Sequence, residues 1–198
     1  MTVDFLVGFE HRSDAERFLN ELRERLPMFA LELHAEKTRL LEFGRLAARN
    51  RQARGLGRPE TFDFLVFTHM CAKTRSGRFM LKRTTISKRM RTKLREVKTE
   101  LMRRRHRSIP EQGRWLASVV RGHLAYYAVP GNIDAVAAFR TQATRHWYRA
   151  LRRRSQRSRL DWKRMNRLAN RWILPARKMH PWPDDRFDVK TRGRSPVR

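Results

Sequence analysis

The chain has 198 residues, 40% of them hydrophobic and 10% aromatic, which is enough to bury a core in one or two domains and excludes disorder throughout. Its formal net charge of +28 calls for a polyanionic partner. No run of about 18 or more apolar residues is present to span a bilayer, Met1-Thr-Val-Asp-Phe-Leu lacks the basic start of a signal peptide, and the lone Cys71 excludes a disulfide framework and a Cys-rich zinc site. A cytoplasmic protein is the expectation.

In chain order, Phe5-Leu-Val-Gly-Phe9 has strand character, and Ser13-Asp-Ala-Glu16 reads as a capping box. The helix it opens places Phe18, Leu19, Leu22 and Leu26 on one face, and Pro27 closes or distorts its last turn. Glu32-Leu-His34 and Thr38–Phe43 read as two short strands, and residues 45–60 as a polar loop. Phe62–Thr68, the turn Arg75-Ser-Gly-Arg78 and Phe79-Met-Leu81 together make a hairpin.

The remainder reads as helical. Ile86, Met90, Leu94, Val97 and Leu101 repeat at helical spacing, with Lys88, Arg91, Arg95 and Lys98 opposite, leading into Arg103-Arg-Arg105. Pro110-Glu-Gln-Gly113 is a connector. From Gly113 a helix carries Leu116, Val120, Leu124 and Tyr127 in one row and Trp115, Val119 and Tyr126 in the next, and Pro130-Gly131-Asn132 stops it. Gly122 sits where another backbone could approach closely. A third helix starts near Asp134 as N-cap and buries Val136, Phe139, Ala143, Trp147, Ala150 and Leu151. A fourth starts near Asp161 and turns Met165, Leu168, Ala169 and Trp172 inward.

Charge divides the chain. Residues 1–72 hold 11 Lys+Arg and 11 Asp+Glu, whereas residues 73–198 hold 36 and 8, so the whole excess lies in the second part with all five Trp and all three Tyr. A charge run that merely solvates a face mixes signs. Here the acids are missing, and arginine's planar fork suits phosphate and stacks on bases. These features favour nucleic acid, RNA above all. A basic amphipathic membrane helix is the competing reading, and it predicts one isolated helix rather than several with matched apolar faces. The candidate contacts are Lys88, Arg91, Arg95, Arg103, Arg104, Arg105, Arg114, Arg121, Arg140, Arg145, Arg149, Arg152, Arg153, Arg154 and Arg157. At helical spacing the Trp residues suit the core better than base-stacking platforms. No hydrolase motif is present, and His69 and Cys71 stand two apart as a chance pair.

These motifs resemble, across essentially the whole chain, the C-terminal part of a bacterial group II intron reverse transcriptase/maturase. Met1-Thr-Val-Asp4-Phe-Leu-Val-Gly-Phe9 falls where that family has Tyr-Ala-Asp-Asp-Phe-Val-Val-Gly-Phe, the catalytic hairpin of the polymerase palm. Leu31-Glu-Leu-His-Ala-Glu-Lys-Thr38 resembles the next palm motif, with Lys37 at its lysine, and Phe62-Asp-Phe-Leu-Val-Phe67 resembles Phe-Asp-Phe-Leu-Gly-Phe. Gly113–Asn132 is similar to the maturase-specific thumb.

The resemblance implies an α+β fold: a partial palm over residues 1–82, an all-helical basic thumb/maturase domain over 83–175, and an extended basic tail over 176–198. It also implies binding of intron RNA or an RNA–DNA hybrid, with assistance to splicing. In the intact family the polymerase uses Mg2+ held by several carboxylates. Here Val3 replaces the first Asp of the turn and only the remnant Asp4 survives. No polymerase activity and no cofactor are therefore expected of the chain alone. Ala30 and Val66 stand where the family has Gly. The alternatives are half of a split polymerase that needs an N-terminal part in trans, and a decayed gene product.

Overall fold

The computed structural model describes residues 4–155 and 159–181. The fold is α+β, with six helices among the described residues and a three-stranded antiparallel sheet of order β1-β2-β3. Two compact units make up the chain, one of residues 1–65 with 69–81 and the other of residues 66–68 with 82–198.

The first unit holds α1 (Arg12–Arg25), a 3-10 turn (Leu26–Phe29), α2 (Ala47–Ala53), β1 (Phe62–Phe64) and parts of the hairpin strands β2 (Phe67–Lys73) and β3 (Phe79–Thr85). The hairpin closes at Gly77, whose φ of +80° suits a residue without Cβ. Its strands are offset from the expected ones. The run Phe62–Thr68 is split by Leu65 at φ +56°, so β1 and β2 are separate strands.

Other expectations for this unit are corrected. Phe5–Phe9, Glu32–His34 and Thr38–Phe43 are not strands, and α2 occupies part of the expected loop at 45–60. A strand needs a ladder partner to satisfy its backbone, and these short apolar runs find none among the described residues. The expected capping box at Ser13 does not form: α1 begins at Arg12 with His11 as an N-cap that makes no side-chain bond, and Arg12 takes Glu16 at 2.7 Å. Pro27 lies in the 3-10 turn that ends α1, and Ala30 caps that turn in the left-handed region at φ 54°.

The second unit is a helical bundle of α3 (Ser87–Arg103), α4 (Ile109–Tyr127), α5 (Ile133–Arg152) and α6 (Trp162–Trp172). A capping box forms here instead: Ser108 accepts from the Glu111 N–H, and Glu111 reaches back to the Ser108 N–H at 3.1 Å. Helix α4 therefore starts four residues earlier than Gly113, and the supposed connector Pro110–Gly113 is its first turn, where proline's missing N–H costs nothing. The Ser108 bonds hold the Glu111 carboxyl below the usual carboxylate range.

Leu94, Val97 and Leu101 of α3, Leu116, Val120 and Leu124 of α4, and Met165 and Ala169 of α6 are buried around α5. From α5 come Val136, Phe139, Ala143, Trp147, Ala150 and Leu151. Each large side chain so buried stabilises the fold by about 1.5–3 kcal/mol. Two buried amides organise the joints. Gln112 accepts from Trp147 Nε1 at 3.0 Å and donates to the carbonyls of Arg105 and Arg107. Asn132, not Asp134, is the N-cap of α5, and its side chain holds the Thr85 N–H, the Thr85 hydroxyl and the Tyr127 carbonyl, each at 2.8 Å.

Gly122 is corrected as well. A Cβ there would meet nothing within 4 Å, whereas one on Gly113 would lie 2.6 Å from the Trp172 ring. The close approach in α4 belongs to Gly113. Of the tail expected over 176–198, residues 182–198 lie outside the described residues.

Candidate nucleic-acid interface

Residues 82–181 contain 28 Lys+Arg and only five acids, so cations outnumber partners on every helix. Four of the five acids are committed. Glu96 pairs with Lys93, Glu100 with Arg103 and Arg104, Glu111 serves the Ser108 cap beside Arg107, and Asp161 caps α6 by accepting from the Arg164 N–H. The arginines at the far end of α5 have no such neighbour among the described residues.

The spacing of α5 puts Trp147, Ala150 and Leu151 in the core and leaves Arg145, Tyr148, Arg149, Arg152 and Arg153 along an outer face. Trp162, the first residue of α6, stacks on Tyr148 with ring centroids 4.2 Å apart and planes 25° from parallel. The Tyr148 hydroxyl donates to the Leu160 carbonyl at 3.3 Å, fixing the ring against the segment that enters α6. The Arg152 guanidinium lies 5.8 Å from the Tyr148 ring centre, within cation–π range. Together Arg145, Tyr148, Arg149, Arg152, Arg153 and Trp162 line an open groove of about 550 Å³, with no carboxylate among the described residues of its lining. Trp162 is 46% exposed, so part of its ring is open to a further stacking partner.

None of these four arginines makes an ion pair among the described residues. Their field is felt nearby: His146 is pushed below the usual histidine value, first by burial and then by Arg149 and Lys98. A groove like this can hold phosphate oxygens on guanidinium forks and a flat ring against its indole.

The other expected contacts are dispersed. Arg91, Arg95, Arg103, Arg114 and Arg121 are exposed along α3 and α4, and Lys88 lies at the start of α3. Arg104 is ion-paired with Glu100 and lies 5.1 Å over the Trp115 ring. Arg105 donates to His106, and Arg140 donates to the Leu174 carbonyl and to Asn170 Oδ1, tying α5 to the end of α6. Arg104 and Arg140 therefore have structural duties that their place in a basic run did not reveal. Arg154 is half-buried just past α5, and Arg157 lies outside the described residues. In the first unit, Lys37 is exposed in a turn and Asp4 is exposed.

The Tyr148–Trp162 pair went unrecognised in the sequence. Periodicity puts Trp162 on the stripe of Met165 and Ala169, but in the first turn of α6 it meets Tyr148 instead of the core. Among the described residues no group of three or more His, Cys, Asp or Glu side chains could hold a metal ion, and no helix is long and apolar enough to cross a membrane. No family, curated protein or solved structure matches this chain.

Proposed function

We propose that the helical unit binds structured RNA, with the arginine–aromatic groove at the α5–α6 junction as its principal contact. The observation that carries this reading is one groove holding four arginines, without acidic partners among the described residues, beside a stacked, half-exposed tryptophan. Arginine forks bind phosphate as bidentate donors, and an exposed indole stacks on an unpaired base. A purely electrostatic surface would need no aromatic pair, and a membrane-binding face would need a continuous apolar stripe. On the motifs resembling group II intron maturases, the RNA is an intron RNA or RNA–DNA hybrid. The role is then to hold it and assist splicing without polymerisation, because Val3 stands where the resembling motif has the first Asp of its metal-binding pair.

Fluorescence anisotropy at fixed ionic strength tests this. A structured RNA should bind tighter than heparin or anionic vesicles, and Trp162→Ala should weaken RNA binding by about 1–3 kcal/mol while leaving heparin unchanged. Equal affinity for all three polyanions would sink the reading.

A second reading has its own observation. In the first unit Phe5, Leu6, Val7, Met28 and Phe29 are all exposed, the last two at 81% and 64%. Such residues suit a partner surface, which on the resemblance is an N-terminal reverse-transcriptase half. Co-expression with that half, followed by primer extension in Mg2+, decides it.

A further inference from the structure

Within the α5–α6 groove the cations bracket the stacked rings. Arg145 precedes Tyr148 and Arg152 follows it by about one helical turn each, roughly 5 Å along the axis, and all three line the groove from the same face of α5. Arg145 and Arg152 are both exposed. Cations gather at the negative end of a helix, which accounts for Arg149 and Arg152 in the last turn of α5. It does not account for Arg145, a turn earlier, or for an indole left half-exposed beside them.

The indole has one face to offer. Tyr148 covers the other, with centroids 4.2 Å apart and planes 25° from parallel, and the exposed part of Trp162 lines the groove. One flat ring can extend this stack, and none can be sandwiched in it. A base inside a duplex is already stacked on both faces, and extracting it costs as much as or more than one stacking contact returns. The open face of Trp162 therefore suits a base that is unpaired beforehand. Its surroundings suit a strand: a nucleotide within a chain carries a phosphate on each side, matching Arg145 and Arg152, whereas a free mononucleotide carries one. An acidic peptide would meet the cations and leave the indole unused.

Building on the RNA reading of this groove, we propose that it selects an unpaired nucleotide within an RNA strand. The base stacks on Trp162, and the two flanking phosphates lie on Arg145 and Arg152. Paired RNA meets the arginines alone, so the tryptophan sets the preference and the arginines set the general affinity.

Fluorescence anisotropy on the full chain with three RNAs tests it: a paired duplex, the same duplex with one unpaired adenosine in its middle, and that second duplex with the unpaired base removed to leave an abasic nucleotide. The adenosine bulge should bind about fivefold or more tighter than the paired duplex, as one added base–indole stack implies. The abasic bulge should lose that gain, which separates stacking from the greater flexibility of an interrupted duplex. Trp162→Leu keeps apolar bulk against Tyr148 without an aromatic face. It should bring all three RNAs to the paired duplex's affinity while leaving the slope of log affinity against log salt unchanged.

An abasic bulge that binds as tightly as the adenosine bulge overturns the proposal, as does a folded Trp162→Leu variant that keeps the preference. The abasic comparison needs no variant, so it decides the matter should Trp162→Leu fail to fold. Equal binding of all three RNAs, lost when Arg145, Arg149, Arg152 and Arg153 are changed to glutamine, overturns the unpaired-nucleotide preference and leaves the structured-RNA reading standing. Binding that survives those four changes overturns both.

Discussion

Replacing Gly113 with alanine places a methyl carbon 2.6 Å from Cγ and Cδ2 of Trp172 and 2.8 Å from Cε2. Carbon atoms in good contact lie about 3.5–4.0 Å apart, so the indole must retreat by roughly 1 Å and take the end of α6 with it. Overpacking of this kind costs about 1–3 kcal/mol, against a gain of about 1 kcal/mol from removing a helical glycine. The net expectation is a loss of up to roughly 2 kcal/mol. Gly122→Ala, on the same helix and chemically identical, meets nothing within 4 Å and should stabilise by about 0.5–1 kcal/mol. Urea denaturation followed by tryptophan fluorescence and by far-UV circular dichroism reads both. Gly113→Ala should lie below Gly122→Ala by about 0.5–3 kcal/mol. Trp172→Leu in the Gly113→Ala background should recover part of the loss, because the two sites are coupled. If Gly113→Ala stabilises as much as Gly122→Ala, Trp172 is not seated on Gly113 and the α4–α6 packing described above is wrong.

Three further outcomes are expected. Trp147→Phe strands the Oε1 of buried Gln112 and leaves a void, for a loss of about 2–4 kcal/mol, and adding Gln112→Leu should cost less than the sum of the two single changes. His123 titrates near 6.5 when unfolded, and its folded value is lowered to about 4, by burial first and then by Lys93. The unfolded chain therefore binds more protons between those values, so this stability is full above pH 6.5 and falls as pH drops toward 4. The size is about 2–3 kcal/mol after allowance for partial solvent access, and His123→Phe should flatten that part of the pH profile measured by urea midpoints. Ala30 occupies the left-handed region at φ 54°, ψ 35°, so Ala30→Gly should stabilise the first unit by about 0.5–1 kcal/mol in thermal melts; an unchanged or lower midpoint contradicts that backbone geometry.

The helical unit was legible where one face is fully buried. Leu94, Val97 and Leu101 on α3, and the α5 stripe from Val136 to Leu151, are in the core as their spacing required. Boundaries were harder. Ser13-x-x-Glu16 and Ser108-x-x-Glu111 carry the same signature, and only the second is a capping box, because Glu16 is engaged by Arg12. Strands were misjudged where apolar runs found no ladder partner: Phe5 and Leu40 remain exposed.

The arginine excess was plain in the sequence, but not which arginines the fold leaves unpaired. Arg140 and Arg104 are used by the fold, and that depends on Leu174, Asn170 and Glu100 being brought to them. The Tyr148–Trp162 stack joins residues on two different helices, and no periodicity within one helix can show it. Gly122 and Gly113 exchanged roles for a related reason, since a glycine's purpose is set by what lies across from it.

The central claim is that Arg145, Arg149, Arg152 and Arg153 hold RNA phosphates. Its most direct test is the salt dependence of binding to a structured RNA, for wild type and for the variant with all four arginines changed to glutamine. Each phosphate contact contributes a little under one unit to the slope of log affinity against log salt concentration, so the variant's slope should be shallower by roughly 3–4. Identical slopes, with the variant folded, would contradict the account.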